Sequence, residues 1–166
     1  SLCVEQLYSE IDGDSASSAE LYAILSSLSE LPIKQYIAVT GSVNQKGEIQ
    51  PVGGVTSKIE GFFELCKENG LTGKQGVIIP HQNIKNLVLK DEVIEEVKKG
   101  TFHIYSVRNI DEGIEILTGV KAGKVGKDGT YPKGTVNSRV YDKLRKFAFN
   151  VYDMEKKDKK DRLFQP

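Results

Sequence analysis

The chain has 166 residues, of which 39% are hydrophobic and 28% are charged. This composition excludes wholesale disorder and an integral membrane protein, and it fits one soluble domain with an appendage. Lysine plus arginine and aspartate plus glutamate number 23 each, so no net charge favours nucleic acid or anionic lipid as a partner. Cys3 and Cys66 have no metal-site or disulfide-framework spacing, which indicates a reducing, cytoplasmic setting.

The first elements form a strand, a turn and a helix. Residues 1–8 are typical of a strand, and because neither an initiator methionine nor a leader precedes it, we expect a piece of a longer polypeptide. Residues 11–15 predict a turn and residues 16–31 a helix that stops before Pro32. The apolar side chains of this helix form one broad stripe: Leu21, Ile24, Leu25 and Leu28. We therefore expect the helix to be buried on most sides.

The chain then alternates between strands and helices as far as Gly119. Further strands are predicted at residues 36–43, 47–52, 76–80 and 102–107. Further helices are predicted at residues 55–69, 83–89, 91–99 and 111–117. This alternation predicts an α/β layered domain over residues 1–119.

The C-terminal part has a different composition. Residues 120–136 are rich in glycine and lysine, which predicts a flexible linker. Four apolar residues then recur at helical spacing: Val140, Leu144, Phe147 and Val151. They predict an amphipathic helix from Asn137 to about Met154, followed by a charged run. Residues 137–166 are therefore interpreted as a docking helix with a frayed, solvated tail.

Ser15 is the first candidate for chemistry. It follows Gly13 and Asp14 and directly precedes a strongly helical run, so its hydroxyl would stand at a helix N-terminus. The free amides and the positive end of the helix dipole at such a place can stabilise an oxyanion. The same position also suits a serine that only caps the helix. The Gly-Asp-Ser sequence alone does not decide between these roles.

A nucleophilic serine also needs a base. His81 follows a strand end and His103 lies inside an alternating strand, where a structural histidine is the simpler interpretation. Residues 13–17 also lack the second glycine of a nucleophile elbow, which disfavours a histidine-based hydrolase. Lys58 is the other candidate base, since it falls at the margin of an apolar stripe formed by Val55, Phe62 and Leu65. A lysine serves as a base only if it loses hydration so that its neutral form is favoured.

Three sequence blocks, taken in order, resemble the catalytic core of Lon proteases. They read DGDSAS at residues 12–17, AVTG at residues 38–41 and PVGGVTSK at residues 51–58. The separation of Ser15 from Lys58 also resembles that of the family, and the Gly-Asp before the serine is similar to its B-type branch. The resemblance covers residues 1–119 and implies the Lon proteolytic fold, with mixed β-sheets and flanking helices.

The resemblance also implies site roles. Ser15 would be the nucleophile, and Lys58 the general base that returns the proton to the leaving amine. Thr40 would orient the lysine amine, while Gly13, Asp14 and the nearby amides would shape the oxyanion region. Either Asp12 or Asp14 could instead approach Lys58, hold it charged and leave the site in an inactive state.

For the whole protein, the resemblance implies an ATP-dependent serine endopeptidase that degrades unfolded or damaged proteins in the cytoplasm as part of protein quality control. Because no GxxxxGK[ST] motif occurs, ATP and Mg²⁺ are expected on an AAA+ ATPase module N-terminal to this chain, and assembly into a hexamer is implied. No ligand-spaced Cys/His cluster suggests a metal. The open alternative is a non-catalytic Lon-like assembly or substrate-binding module in which Ser15 is only a cap.

Overall fold

The computed structural model describes residues 13–163, with side chains as far as Asp153. The strand predicted for residues 1–8, and Asp12, lie outside the described residues. Within them, the chain forms two small β-sheets and helices on both sides of the larger sheet.

The strands within the described residues are β1 (Ile37–Val39), β2 (Ser42–Val43), β3 (Ile49–Gln50), β4 (Gly76–Pro80) and β5 (His103–Val107). Parallel strands in the order β1-β4-β5 form the larger sheet, and β2 pairs with β3 as an antiparallel hairpin. The one strand predicted for residues 36–43 is therefore wrong, because the chain leaves the larger sheet at Thr40 and Gly41. This break places Thr40 at the carboxyl end of β1.

The helices are α1 (Ser17–Ser29), α2 (Val55–Glu68), α3 (Asp91–Lys99), α4 (Ile110–Thr118) and α5 (Val136–Leu163). Helices α1 and α4 cover one face of the larger sheet, where Tyr22, Ile78 and Ile114 share a core. On the opposite face, Ile59 of α2 packs with Ile79 of β4 in a second core that α3 completes. This arrangement confirms the predicted α/β layering.

Most predicted boundaries agree with the structure, and those of β4 and α3 agree residue for residue. The helix predicted for residues 83–89 is instead a 3₁₀ helix at His81–Asn86. The earlier start of this helix follows from Pro80, the residue directly before it, whose backbone is extended with φ −63° and ψ 136°. The 3₁₀ helix starts at the next residue, His81.

The buried face of α1 differs from the predicted leucine stripe. Ser18, Tyr22 and Ser29 are its buried residues, whereas Ile24 is 40% exposed. The reason is a close approach to α4, because a Cβ added at Gly113 would lie 1.8 Å from the Tyr22 hydroxyl. The exposed residues of the helix, Glu20, Ile24 and Ser27, lie on one narrow side, and Leu21 and Leu25 of the predicted stripe pack against the core. The prediction that the helix is buried on most sides therefore agrees with the structure.

Helix α5 is fastened to the domain at its start. Val136 is fully buried, and its N–H donates to the Lys121 carbonyl, while the N–H of Asn137 donates to the Ala122 carbonyl. Farther along, Phe147 is 45% and Val151 55% exposed, and the helix continues past the predicted end to Leu163. None of the helices in the described part of the chain is long and apolar enough to cross a bilayer.

The buried phenol of Tyr22 generates a stability prediction. Its hydroxyl has no hydrogen-bond partner among the described residues, and a buried unsatisfied hydroxyl costs about 1–3 kcal/mol. Tyr22→Phe should therefore raise the free energy of unfolding, measured by urea denaturation, by about 1 kcal/mol. Gly113→Ala should lower it by about 1–3 kcal/mol because of overpacking, and Tyr22→Phe should recover part of that loss. A loss of stability in Tyr22→Phe alone would contradict this description.

The same residue predicts a dependence on alkaline pH. Burial raises the pKa of the Tyr22 phenol above its ordinary value, and the charges of Glu112 and Asp111 add to this rise. An unfolded chain loses the phenolic proton near pH 10 while the folded chain keeps it. The contribution of the raised Tyr22 pKa to the free energy of unfolding is therefore complete below about pH 10 and is lost as the pH rises further. Urea unfolding of the wild type between about pH 8 and 11 should show a steeper decline than that of Tyr22→Phe, and equal slopes would refute the assignment.

Candidate active site

Ser15 lies in a tight turn directly before α1. Gly13 begins this turn with φ +87°, in the left-handed region that favours glycine. The N–H of Ser17 donates to the Asp14 carbonyl at 3.0 Å. The N-cap of α1 is Ala16, and no side chain caps the helix. The half-buried Ser15 therefore does not occupy the capping position considered from its sequence.

Residues 40–43, here called the strap, run along this turn and bind its main chain. The Gly41 N–H donates to the Ser15 carbonyl at 2.9 Å, and the Ser18 N–H donates to the Gly41 carbonyl at 3.1 Å. The Thr40 hydroxyl also points at the Ser15 carbonyl, at 3.4 Å. These contacts fix the backbone of Ser15, and within residues 13–153 its side-chain hydroxyl makes no hydrogen bond.

Side chains add two further links between the strap and the turn. The Val43 N–H donates to the Ser17 hydroxyl at 3.1 Å. The Ser42 hydroxyl donates to the Asp14 carboxylate at 2.5 Å. Neither Ser17 nor Ser42 was among the site residues predicted from the sequence. The available signal was that hydroxyl residues adjoin both the candidate serine and the Thr-Gly pair.

Lys58 approaches from α2. This helix begins after Gly54, which has φ 66°, and it has no side-chain cap. Its buried residues are Val55, Ile59, Phe63 and Cys66. Leu65 is 55% exposed, so its predicted place in the apolar stripe is wrong. At about 100° per residue, Lys58 lies about 90° from the middle of the buried stripe, which still places it at the margin.

The amine of Lys58 reaches the strap. Its Nζ donates to the Thr40 hydroxyl at 3.2 Å. Thr40 is 7% exposed, whereas Lys58 is exposed. A hydroxyl can accept one hydrogen bond while donating another, so Thr40 connects the Lys58 amine to the Ser15 carbonyl. Hydrogen bonding thus places Ser15, Thr40 and Lys58 at one site.

Of the acidic residues predicted for the site, the one that the structure describes, Asp14, does not pair with Lys58 among the described contacts. The described contact of the Asp14 carboxylate is with Ser42, and Asp12 lies outside the described residues. No carboxylate within residues 13–153 lies within ion-pair distance of Lys58. Among these residues, the ion pair between a carboxylate and Lys58 that was considered from the sequence is not formed.

The two histidines have other partners. His81 Nε2 accepts a hydrogen bond from the Arg108 guanidinium at 2.8 Å, and its Nδ1 lies 3.5 Å from the Ser106 hydroxyl. His103 Nε2 lies 2.9 Å from the Gly73 carbonyl oxygen. Within the described residues, neither imidazole contacts Ser15. The structure therefore offers no histidine base next to this hydroxyl.

Asn83 supports the segment that leads into α2. Its side-chain amide donates to the Val52 carbonyl at 2.9 Å, and its side-chain oxygen accepts from the Val52 N–H at 3.1 Å. This pair of bonds fixes the loop that sets the direction of α2, and hence of Lys58. From the sequence, Asn83 was predicted only as part of a short helix, because no local pattern identifies a partner 31 residues away.

Comparison with known proteins adds the family. Residues 9–119 match the model of the Lon protease (S16) C-terminal proteolytic domain. The chain is 52% identical over 117 residues to a Lon protease homologue of Escherichia coli (strain K12), covering 70% of this chain and 20% of the relative. It is 52% identical over 130 residues to one from Haemophilus influenzae, covering 78% of the chain and 22% of the relative.

A more distant relative belongs to the archaea. The chain is 40% identical over 111 residues to the archaeal Lon protease of Pyrococcus abyssi, covering 67% of the chain and 10% of that protein. The chain spans about a fifth of the length of the two bacterial relatives. The resemblance identified from the three sequence blocks is confirmed, and the chain belongs to the family of Lon protease C-terminal proteolytic domains.

Proposed function

We propose that this chain is a serine endopeptidase domain that cleaves unfolded or damaged proteins with a Ser15–Lys58 dyad. The observation that carries the proposal is the path of hydrogen bonds from the Lys58 amine through the Thr40 hydroxyl to the Ser15 carbonyl. Membership of a peptidase family gives this path a chemical context. The proposal accounts for a serine, a lysine and a threonine that meet from three separate elements.

The chemistry requires a neutral Lys58. In that form its Nζ accepts the proton of the Ser15 hydroxyl while the oxygen attacks the peptide carbonyl. Amides at the start of α1 stabilise the oxyanion of the tetrahedral intermediate. Collapse breaks the C–N bond, the lysine gives its proton to the leaving amine, and water then hydrolyses the acyl-enzyme by the same proton route.

Because Lys58 is exposed, a bound substrate would change the hydration of its amine. A polypeptide lying across the strap would cover the amine and remove part of its water. Loss of hydration favours the neutral form of a lysine. The site would thus gain a competent base when substrate is bound, and Thr40 would hold the amine in position throughout.

The complete protein is proposed to be ATP-dependent. An AAA+ ATPase module outside these residues would bind ATP with Mg²⁺, unfold substrates and deliver them to this domain in a cytoplasmic hexamer. The length of the bacterial relatives, of which this chain spans about a fifth, is compatible with such a module. Protein quality control would be the corresponding cellular role.

Replacement of either dyad residue tests the proposal. Ser15→Ala and Lys58→Met in the full-length protein should each lower peptide cleavage by about 10²-fold or more, since each removes an essential group. Release of fluorescence from a labelled unfolded protein measures the rate. Ser27→Ala and Lys85→Met, which alter exposed residues elsewhere, are the matched controls and should remain active. Cleavage retained by either dyad variant refutes the dyad.

A covalent probe separates the enzyme from a non-catalytic Lon-like binding module. A serine-directed fluorophosphonate should label the wild type at Ser15, as read by mass spectrometry, because the dyad activates this hydroxyl. Labelling should be lost in Ser15→Ala and strongly reduced in Lys58→Met. Absence of labelling in the full-length protein with ATP would favour the binding module.

The Thr40 hydroxyl has its own predicted effect. Thr40→Val keeps the shape of the side chain but removes both the acceptor for Lys58 and the contact with Ser15. It should lower kcat by about tenfold or more, because a hydrogen bond to a charged or reacting group contributes about 1.5–3 kcal/mol. Thr40→Ser keeps the hydroxyl and should remain within about threefold of the wild type. Equal rates for Thr40→Val and the wild type would exclude an orienting role.

A further inference from the structure

The Ser42 hydroxyl has a single described partner, the Asp14 carboxylate. Ser42 is 7% exposed, whereas Asp14 is exposed. Their oxygen atoms are 2.5 Å apart, a separation typical of a hydroxyl that donates to an ionised carboxylate. The bond gives the buried Ser42 hydroxyl a partner and fixes the direction of the exposed Asp14 carboxylate.

The Ser42–Asp14 pair lies on the same strap as the contact between Lys58 and Thr40. Lys58 binds Thr40, and Asp14 binds Ser42. Thr40 and Ser42 are separated by one residue, so their Cα atoms lie at most about 7 Å apart. The carboxylate and the amine therefore contact the same short strap, and the structure directs them to different residues of it.

A carboxylate that came within ion-pair distance of the amine would compete with Thr40 for it. An opposite charge within about 4–6 Å favours the charged form of a lysine and lowers its neutral fraction by about tenfold or more. An Asp14 carboxylate released from Ser42 would exchange an uncharged donor for the Lys58 ammonium. The proposed reaction needs the neutral amine, so this exchange would silence the site.

We propose that Ser42 is a positioning residue that holds the Asp14 carboxylate away from the Lys58 amine and so keeps the proposed dyad competent. The inference rests on the proposed function for its effect on rate. It assigns to Ser42 a task that neither the dyad nor Thr40 performs. Ser42 acts only through Asp14, without contact with the substrate.

Rescue by a second substitution distinguishes this task from a merely structural one. Ser42→Ala in the full-length protein should lower kcat for a labelled unfolded protein by about tenfold or more, with KM within about twofold. Ser42→Thr keeps the donor and should stay within about threefold of the wild type. Adding Asp14→Asn to Ser42→Ala removes the competing charge and should restore kcat to within about threefold of the Asp14→Asn single variant.

A matched control is present in the same chain. The Thr130 hydroxyl donates to the Asp128 carboxylate at 2.7 Å in an exposed loop, and Thr130→Ala should leave kcat unchanged. Thermal unfolding identifies any variant that is not folded at the assay temperature. If Ser42→Ala is such a variant, Ser42→Cys replaces it, because a thiol keeps similar volume and is a weaker donor. Its kcat should lie below that of the wild type, and adding Asp14→Asn should bring kcat to within about threefold of the Asp14→Asn single variant.

Two kinetic results would overturn the inference. One is a Ser42→Ala variant as fast as the wild type, and the other is a Ser42→Ala/Asp14→Asn variant about tenfold or more slower than the Asp14→Asn single variant. Where Ser42→Cys replaces Ser42→Ala, the same two criteria apply to Ser42→Cys and to Ser42→Cys/Asp14→Asn. Failure of the proposed function looks different, since the wild type itself would then neither cleave nor react with the fluorophosphonate.

Crystal structures decide the question even in that case. In the wild type the Asp14 carboxylate should contact Ser42, and in Ser42→Ala, or Ser42→Cys in its place, it should lie within about 4 Å of the Lys58 amine. A variant structure that still holds Asp14 away from Lys58 would overturn the inference independently of activity.

Discussion

The carbonyl oxygen of Ser15 faces two donors from the strap, the Gly41 amide and the Thr40 hydroxyl, and the geometry of the site depends on this contact. It fixes the main chain of the serine, whereas the serine side chain makes no hydrogen bond with the described residues. Because Thr40 also accepts from Lys58, the same hydroxyl sets the position of the amine. One residue at the end of β1 thereby contacts both the turn before α1 and helix α2.

The fold explains why these groups meet. Parallel strands place their carboxyl ends at one edge of the sheet, where α/β folds commonly locate their sites. The chain leaves the sheet after β1 and forms the strap before β2, so backbone donors that a longer strand would use become available to the turn at Ser15. Burial of Val55 and Ile59 anchors α2, and Asn83 fixes the loop before it.

The sequence was sufficient to predict the layered α/β fold and most element boundaries, because strand and helix periodicities are local. It also predicted three residues that the structure joins by hydrogen bonds, although through family resemblance and not through periodicity. The break of the strand at Gly41, the packing of Tyr22 on Gly113 and the Ser42–Asp14 contact depend on partners distant in sequence. No local pattern specifies such partners. This is why the single strand predicted for residues 36–43 was wrong, and why Ser18, Tyr22 and Ser29 were not predicted as the most deeply buried residues of α1.

The central claim is that Ser15 forms the acyl-enzyme and that Lys58 exchanges the proton with it. A crystal structure of the protein with a peptidyl boronate measures this most directly, since boron bonded to a serine oxygen imitates the tetrahedral intermediate. The account predicts a covalent bond from boron to Ser15 Oγ, with Lys58 Nζ within about 3 Å of that oxygen and still bonded to Thr40. A boronate bound at another residue, or an adduct with Lys58 directed away from Ser15, would contradict it.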